Sequence, residues 1–339
     1  MQHLTVVRSI ALSALVILAS ACGSDPTGPD FDGTFTEGQG TYAGSLLVMT
    51  IGQALPTMTL GDPLSGRVGF SAAPSRGVLR AGAGSRLLLP APGVGTRAYL
   101  SQLQATAPGC TISGHGSDED QYDPYDGNDN GIADDFALKI ECTDVDSAGE
   151  GVTITYKQRY DLRMKERLGV DWGFDASLEL WSSEKRSDEA AAEEEGYDLT
   201  EKLVVDNGKA TYHETVSSWG KGLDGTDPYA YDDGGDVTLT FTSDGDPLVL
   251  HQDLPSGKMT ATGRTYFTEL GDANLEWMIS TSAPLTYSPA CNDDWNQPFV
   301  AGELSGALSG STSKRFTAAA NPCESPSPWT ISATGMEAP

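Results

Sequence analysis

The chain has 339 residues, 38% of them hydrophobic, and carries 48 acids against 21 bases for a formal net charge of -27. Charge of that sign and size repels nucleic acid phosphates and anionic headgroups at long range, which excludes a nucleic acid partner and leaves calcium, cationic partners and plain solubility as its uses. After the leader no run of about 18 apolar residues offers a spanning helix, and the length that remains suffices for one large β domain or two smaller ones.

At the N-terminus, Met1 to Arg8 carries one Arg and no acid, and Ile10 to Ala21 is a stretch of apolar and small residues. That is the length of a signal-peptide core and is too short to span a bilayer. The segment ends in Leu18, Ala19, Ser20, Ala21 and Cys22, and it resembles a bacterial lipoprotein leader. The resemblance implies cleavage before Cys22, diacylglycerol on its sulfur and a lipid-anchored place in the cell envelope, facing periplasm or surface. Leu18 stands one residue further from the cysteine than the pattern has it, and Ala19-x-Ala21 also fits an ordinary cleavage after Ala21. Residues 1–21 thus read as a signal peptide, and residues 22–40, rich in Gly, Pro, Asp, Ser and Thr, as a flexible tether.

Beyond the tether, residues 41–150 form an N-terminal part and 151–339 an antiparallel β part, or 41–339 is one continuous domain. Thr41 to Leu55 places Leu46, Leu47, Ile51 and Leu55 near helical spacing, with Thr50 and Gly52 against it. Between Pro63 and Ser117 there is no acid but five arginines, Arg67, Arg76, Arg80, Arg86 and Arg97. They read as ion-pair partners of the acidic body, or as an anion site facing lipid phosphates.

Next comes Asp126-Gly-Asn128-Asp-Asn130-Gly131-Ile132-Ala-Asp134-Asp135. Oxygen-bearing side chains stand at positions 1, 3, 5 and 9, a glycine at 6 and a backbone carbonyl, that of Ile132, at 7, so the segment resembles the calcium loops of EF-hands and thrombospondin type 3 repeats. The resemblance implies structural Ca2+ held by Asp126, Asn128, Asn130, Ile132 and Asp134. It departs at position 12, where Ala137 replaces the bidentate Glu, so the ion needs a further ligand from water, Asp135, Asp123 or Asp120. Eight acids between Asp118 and Asp135 with no base among them make closure without a cation repulsive.

With Cys22 lipidated, four cysteines remain, Cys110 and Cys142, then Cys291 and Cys323, each couple 32 positions apart. In an oxidising compartment two local disulfides are the expected arrangement among the three connectivities open to four cysteines.

From Gly151 onward alternation of period two dominates. Val152, Ile154, Tyr156, Tyr160, Leu162 and Met164 share one face, with Lys157, Arg159, Asp161, Arg163 and Lys165 on the other. Phe174 to Leu180 repeats the pattern, and Asn207-Gly208 between two alternating runs is a hairpin signal. Further strands are expected at Val237 to Thr242, Leu248 to Gln252, Lys258 to Thr268, Leu275 to Thr281 and Phe299 to Leu308. Ser187 to Glu195 reads as a short polar helix. The fold class is therefore mainly β, with antiparallel sheets forming a sandwich or a curved open barrel and little helix.

Nothing in the chain spells a reaction. His115, His213 and His251 sit in no metal or triad motif, and Ser182-x-x-Lys185 and Ser311-x-x-Lys314 lack the partner motifs that would give them meaning. A second acidic group, Asp224, Asp227, Asp232, Asp233 and Asp236, has no loop template but lies beside Trp219, Tyr229 and Tyr231, the residue types of a sugar site. The reading is of a noncatalytic, lipid-anchored envelope protein with a calcium-stabilised β body in a binding or structural role. The alternatives are a carrier for a lipid or other apolar ligand, and a glycan-binding module built on residues 219–236.

Overall fold

A computed structural model describes residues 37–60, 78–80, 86–88, 109–115 and 127–335, apart from 129, 131, 150, 225–226, 270–274, 292–298, 312, 324 and 326. Cys22, Asp126, Asp120 and Asp123 lie outside the described residues, as do Arg67, Arg76 and Arg97.

The protein is built on one antiparallel sheet of twelve strands in strict chain order. They are β3 (Cys110–His115), β4 (Asp135–Gly149), β5 (Val152–Glu166), β6 (Trp172–Arg186), β7 (Glu193–Asp206), β8 (Lys209–Asp224), β9 (Asp227–Ser243), β10 (Gly257–Glu269), β11 (Leu275–Tyr287), β12 (Phe299–Leu308), β13 (Arg315–Ala320) and β14 (Trp329–Thr334). A two-stranded ribbon, β1 (Val78–Arg80) and β2 (Arg86–Leu88), pairs separately from it. The sheet is open, with β3 and β14 as its edges, so the mainly β, antiparallel class with little helix is found, as one open sheet.

The alternation that marks these segments as strands also fixes their faces. Register places Phe136, Met164, Ala176 and Glu201 in one cross-strand row, and Leu138, Leu162, Leu178 and Leu199 in the next. Each row is buried, and this fixes the register, since shifting any strand by one residue would turn its apolar set to water. The opposite face carries Lys165, Asp175, Lys202 and His213 in a row of charge and polarity. Asn207 and Gly208 both take positive φ, 51° and 72°, which the right-handed twist of a two-residue hairpin demands between β7 and β8.

One helix, α1 (Glu37–Leu60), buries Ala43, Leu47, Ile51, Ala54 and Met58 against this apolar face. It packs on β12, β13, β14 and β8. Its contact with β14 is close: a Cβ on Gly44 would come within 2.8 Å of Ile331 Cγ2. Among the described residues no helix is long and apolar enough to cross a membrane. The helix begins at Glu37, so its first turn takes over the last four residues assigned to the tether.

Two other expectations are corrected. Ser187 to Glu195 is not a helix, because Glu193 already opens β7, where Glu194 pairs with Lys221 across β8 at 3.0 Å. Only a turn remains between, held by Arg186 on Asp188 and Glu189. Leu248 to Gln252 is not a strand either. The Gln252 amide donates to Val249 O at 3.1 Å and His251 takes φ of 63°, so the segment turns and tucks Leu248 and Leu254 into the core.

Both local disulfides form. Cys110 and Cys142 are directly opposite each other on β3 and β4, and Cys291–Cys323 ties the connection after β11 to the one before β14.

Candidate functional site

The segment leading into β4 is shaped by its asparagines. Asn130 N donates to Asn128 Oδ1 at 3.1 Å and Ile132 N donates to Asn130 Oδ1 at 2.8 Å, two consecutive side-chain turns that coil the backbone tightly. Gly127 N donates to Asp134 Oδ2 at 3.3 Å, closing the loop on itself. Ile132 is wholly buried and pins the loop to the core.

What faces this loop is Glu166, the last residue of β5. Its carboxylate accepts from Asn128 Nδ2 at 3.0 and 3.1 Å and from Asn130 Nδ2 at 2.6 Å. Its own amide donates to Ala133 O at 2.9 Å. The β4–β5 register, in which Asp135 pairs with Lys165, delivers Glu166 there. Asp135 itself turns away to His115 at 3.3 Å and Lys165 at 3.5 Å, which removes it as a further ligand on this side. From the other flank His251 Nε2 meets Asn130 O at 2.8 Å, and Trp172 Nε1 donates to Leu248 O at 3.4 Å. The β9–β10 connection is thereby fastened to a loop five strands away.

The chemistry of this donor set is oxygen. Asn128, Asn130, Asp134, Glu166 and the loop carbonyls are hard ligands suited to calcium rather than to a thiolate- or imidazole-preferring metal. Among the described residues no group of three or more His, Cys, Asp or Glu side chains is placed to hold a metal ion. Here the convergent groups are two amides and one carboxylate. Their amide hydrogens satisfy Glu166, while their oxygens accept the Asn130 and Ile132 backbone N–H groups.

No protein family, curated protein or solved structure matches the chain.

Of the second acidic group, the described side chains are those of Asp232 and Asp236. Residues 219–236 belong to the long hairpin of β8 and β9, where alternation sends Trp219 to one face of the sheet and Tyr229 and Tyr231 to the other. Asp232 accepts from Ser217 Oγ at 2.9 Å, and Asp236 lies 3.7 Å from His213 on the outer face. Each aromatic covers a glycine on its neighbour: Trp219 lies over Gly196, Tyr231 over Gly220 and Tyr229 over Gly222. Their role is to fill the space a missing side chain leaves on the sheet, and a single sugar platform cannot be made from rings on opposite faces.

A feature that sequence reasoning missed lies in the core. Glu201 and Glu214 are directly opposite across β7 and β8, only 1% and 2% exposed. Both reach the hydroxyl of buried Tyr212, at 2.6 and 2.8 Å. The alternation signals a buried position at each, but a glutamate there reads in sequence as one acid among 48. Two carboxylates at such spacing have the form of an acid–base pair, yet their burial beneath the sheet's apolar rows gives a substrate no approach. A shallow hollow of about 180 Å³ opens on the other, outer face, lined by Asp161, Arg163, Glu179, Asp198 and Thr200, and its polarity is wrong for an apolar ligand.

Proposed function

We propose that this chain is a noncatalytic, lipid-anchored cell-envelope protein whose β body, clipped by calcium, serves a binding or structural role. The anchor rests on the apolar leader ending at Cys22, and the noncatalytic reading on the sealing of the Glu201–Tyr212–Glu214 group in the core. The calcium reading rests on a single observation. Glu166 stands against Asn128 and Asn130, where a calcium loop with Ala137 at its twelfth position lacks a carboxylate.

In that reading Asp126, Asn128, Asn130, the Ile132 carbonyl and Asp134 hold the ion from the loop and Glu166 closes it from β5. The ion would tie the loop to the β4–β5 pair and offset the repulsion among the acids between Asp118 and Asp135. A cell-envelope site of this kind works at an affinity of roughly 10⁻⁴ to 10⁻³ M. Thermal melting of the purified chain in about 10 mM calcium and in chelator tests it, with an expected stabilisation of about 1.4 to 2.7 kcal/mol and a rise in midpoint of a few degrees. Equal midpoints in the two buffers would refute the clip.

A further inference from the structure

The free edge at β14 is unlike the rest of the molecule. Asn321 N donates to Pro328 O at 2.9 Å, which makes that couple a hydrogen-bonded pair. Stepping along the β13–β14 register by two turns Thr330, Ser332 and Thr334 toward β13. The N–H and C=O groups of Ile331 and Ala333 therefore point outward, past the last strand, and among the described residues no strand pairs with them. The inner face beside them is already covered, since Ile331 packs at Gly44 of α1. Among the described residues the outer backbone edge of β14 is bonded to no further strand.

Edges of this kind are normally guarded by a charge, a proline or a bulge. β14 has none, its residues being Trp, Thr, Ile, Ser, Ala and Thr, and its pairing with β13 runs without a register shift. Its surroundings are equally neutral. Residues 299–334 contain Glu303, Lys314, Arg315 and Glu324, two acids and two bases, so the whole formal charge of -27 lies elsewhere in the chain. At the opposite edge, β3 is followed in the chain by the segment with eight acids between Asp118 and Asp135. Two copies of so acidic a protein repel across their acidic surfaces, and least where the charge vanishes.

We propose that β14 is a self-association edge, on which β14 of a second copy adds antiparallel about a two-fold axis and continues the sheet from one protomer to the other. Self-pairing places each side chain opposite its own kind or a near neighbour, so an uncharged strand is the one that meets its copy without like charges opposed. The Ile331 and Ala333 backbone groups supply the bonds, and the outer Thr330, Ser332 and Thr334 meet their counterparts. A junction of one short strand per side is small, so the association is weak and concentration-dependent.

The test is sedimentation velocity of the full chain over about a hundredfold range of concentration, joined to amide hydrogen exchange. The expected result is a rise in average mass from one chain toward two, with the Ile331 and Ala333 amides gaining protection as the dimer fills. Ala333→Pro removes an outward N–H without touching the bonds to β13 and should abolish both effects. Ser332→Lys, at an exposed position, sets lysine near lysine across the axis and should do the same while the chain keeps its melting transition. A single-chain mass at every concentration would overturn the proposal. So would a dimer that survives both substitutions, since that would place the contact on another surface.

Discussion

Asn130 donates its side-chain amide to Glu166 at 2.6 Å, although 36 positions and the whole β4–β5 hairpin separate the two residues. The contact follows from register: β4 leaves the loop, β5 returns antiparallel beside it, and the last residue of β5 arrives where the loop ends, at Ala133 and Asp134. A carboxylate thus reaches the loop from the neighbouring strand, and the two amides hold it in place.

Glu166→Gln keeps the side chain's size and one accepting oxygen but removes its charge. In chelator the variant should melt close to the parent chain, since the lost bonds join partly exposed groups. In calcium the gap should open, with most of the ion-dependent rise in midpoint lost, because a bidentate carboxylate supplies both charge and two ligand oxygens. Calcium-dependent melting is the measurement, and a full calcium response in the variant would remove Glu166 from the site.

Gly306 on β12 is paired with Phe316 on β13, whose ring comes so close that a Cβ there would lie 2.0 Å from Phe316 Cε1. Phe316 is fully buried and also packs against Trp277, with ring centroids 5.5 Å apart. Gly306→Ala should therefore destabilise by about 1 to 3 kcal/mol, the usual cost of overpacking a filled core. Combining it with Phe316→Leu should cost less than the sum of the two single changes, because the smaller side chain vacates the space the new methyl needs. Urea unfolding of the four proteins measures the coupling.

How much of this was legible in the sequence depends on the reach of each signal. The β5 alternation, the Asn207-Gly208 turn and the mainly β class are local or period-two properties, and the structure follows them. Ser187 to Glu195 misled because charge and a capping serine mimic a solvated helix, while what decides the segment is pairing of Glu194 with Lys221 on a strand not yet reached in the chain. Residues 219–236 misled in the same way, since glycines there mark places where a neighbour's aromatic lies down rather than a loop. Glu166 at the loop and Glu201 opposite Glu214 depend on register across strands, and composition holds no trace of register in a chain with 48 acids.

Tyr212 is the link between the two buried glutamates, and its single hydrogen can be donated to only one of them at a time. Tyr212→Phe preserves the ring's packing and deletes the hydroxyl that both carboxylates reach. The expected loss is about 1 to 3 kcal/mol at neutral pH, the cost of withdrawing a partner from buried polar groups. Comparison with a phenylalanine substitution at half-exposed Tyr266, whose hydroxyl is bonded to Ser217 and Asp232 where water can replace it and which should cost less, separates the effect of burial from that of losing a bonded tyrosine hydroxyl. Equal stability of Tyr212→Phe and the parent in urea unfolding would show that the hydroxyl contributes nothing to the core.

Alkaline pH reports on a different part of the core. Burial pushes Tyr287 up to about 12 from its ordinary value of 10.0, and burial raises Tyr160 as well. Tyr287 lies between Phe241 and Phe299, with ring centroids 5.7 and 5.8 Å away, surroundings that offer a phenolate nothing. A raised folded value means that the unfolded chain ionises first. Below about pH 10 both states keep the proton and stability does not depend on this group. From there to about pH 12 the unfolded state loses protons that the folded state retains, so stability falls by up to about 1.4 kcal/mol per pH unit for each such tyrosine. Phenolate absorbance should accordingly rise in two stages, the exposed tyrosines first and the buried ones together with loss of the β-sheet circular dichroism signal. Tyr287→Phe should shift that second stage to higher pH, and an unchanged unfolding pH would mean that other groups set the alkaline limit.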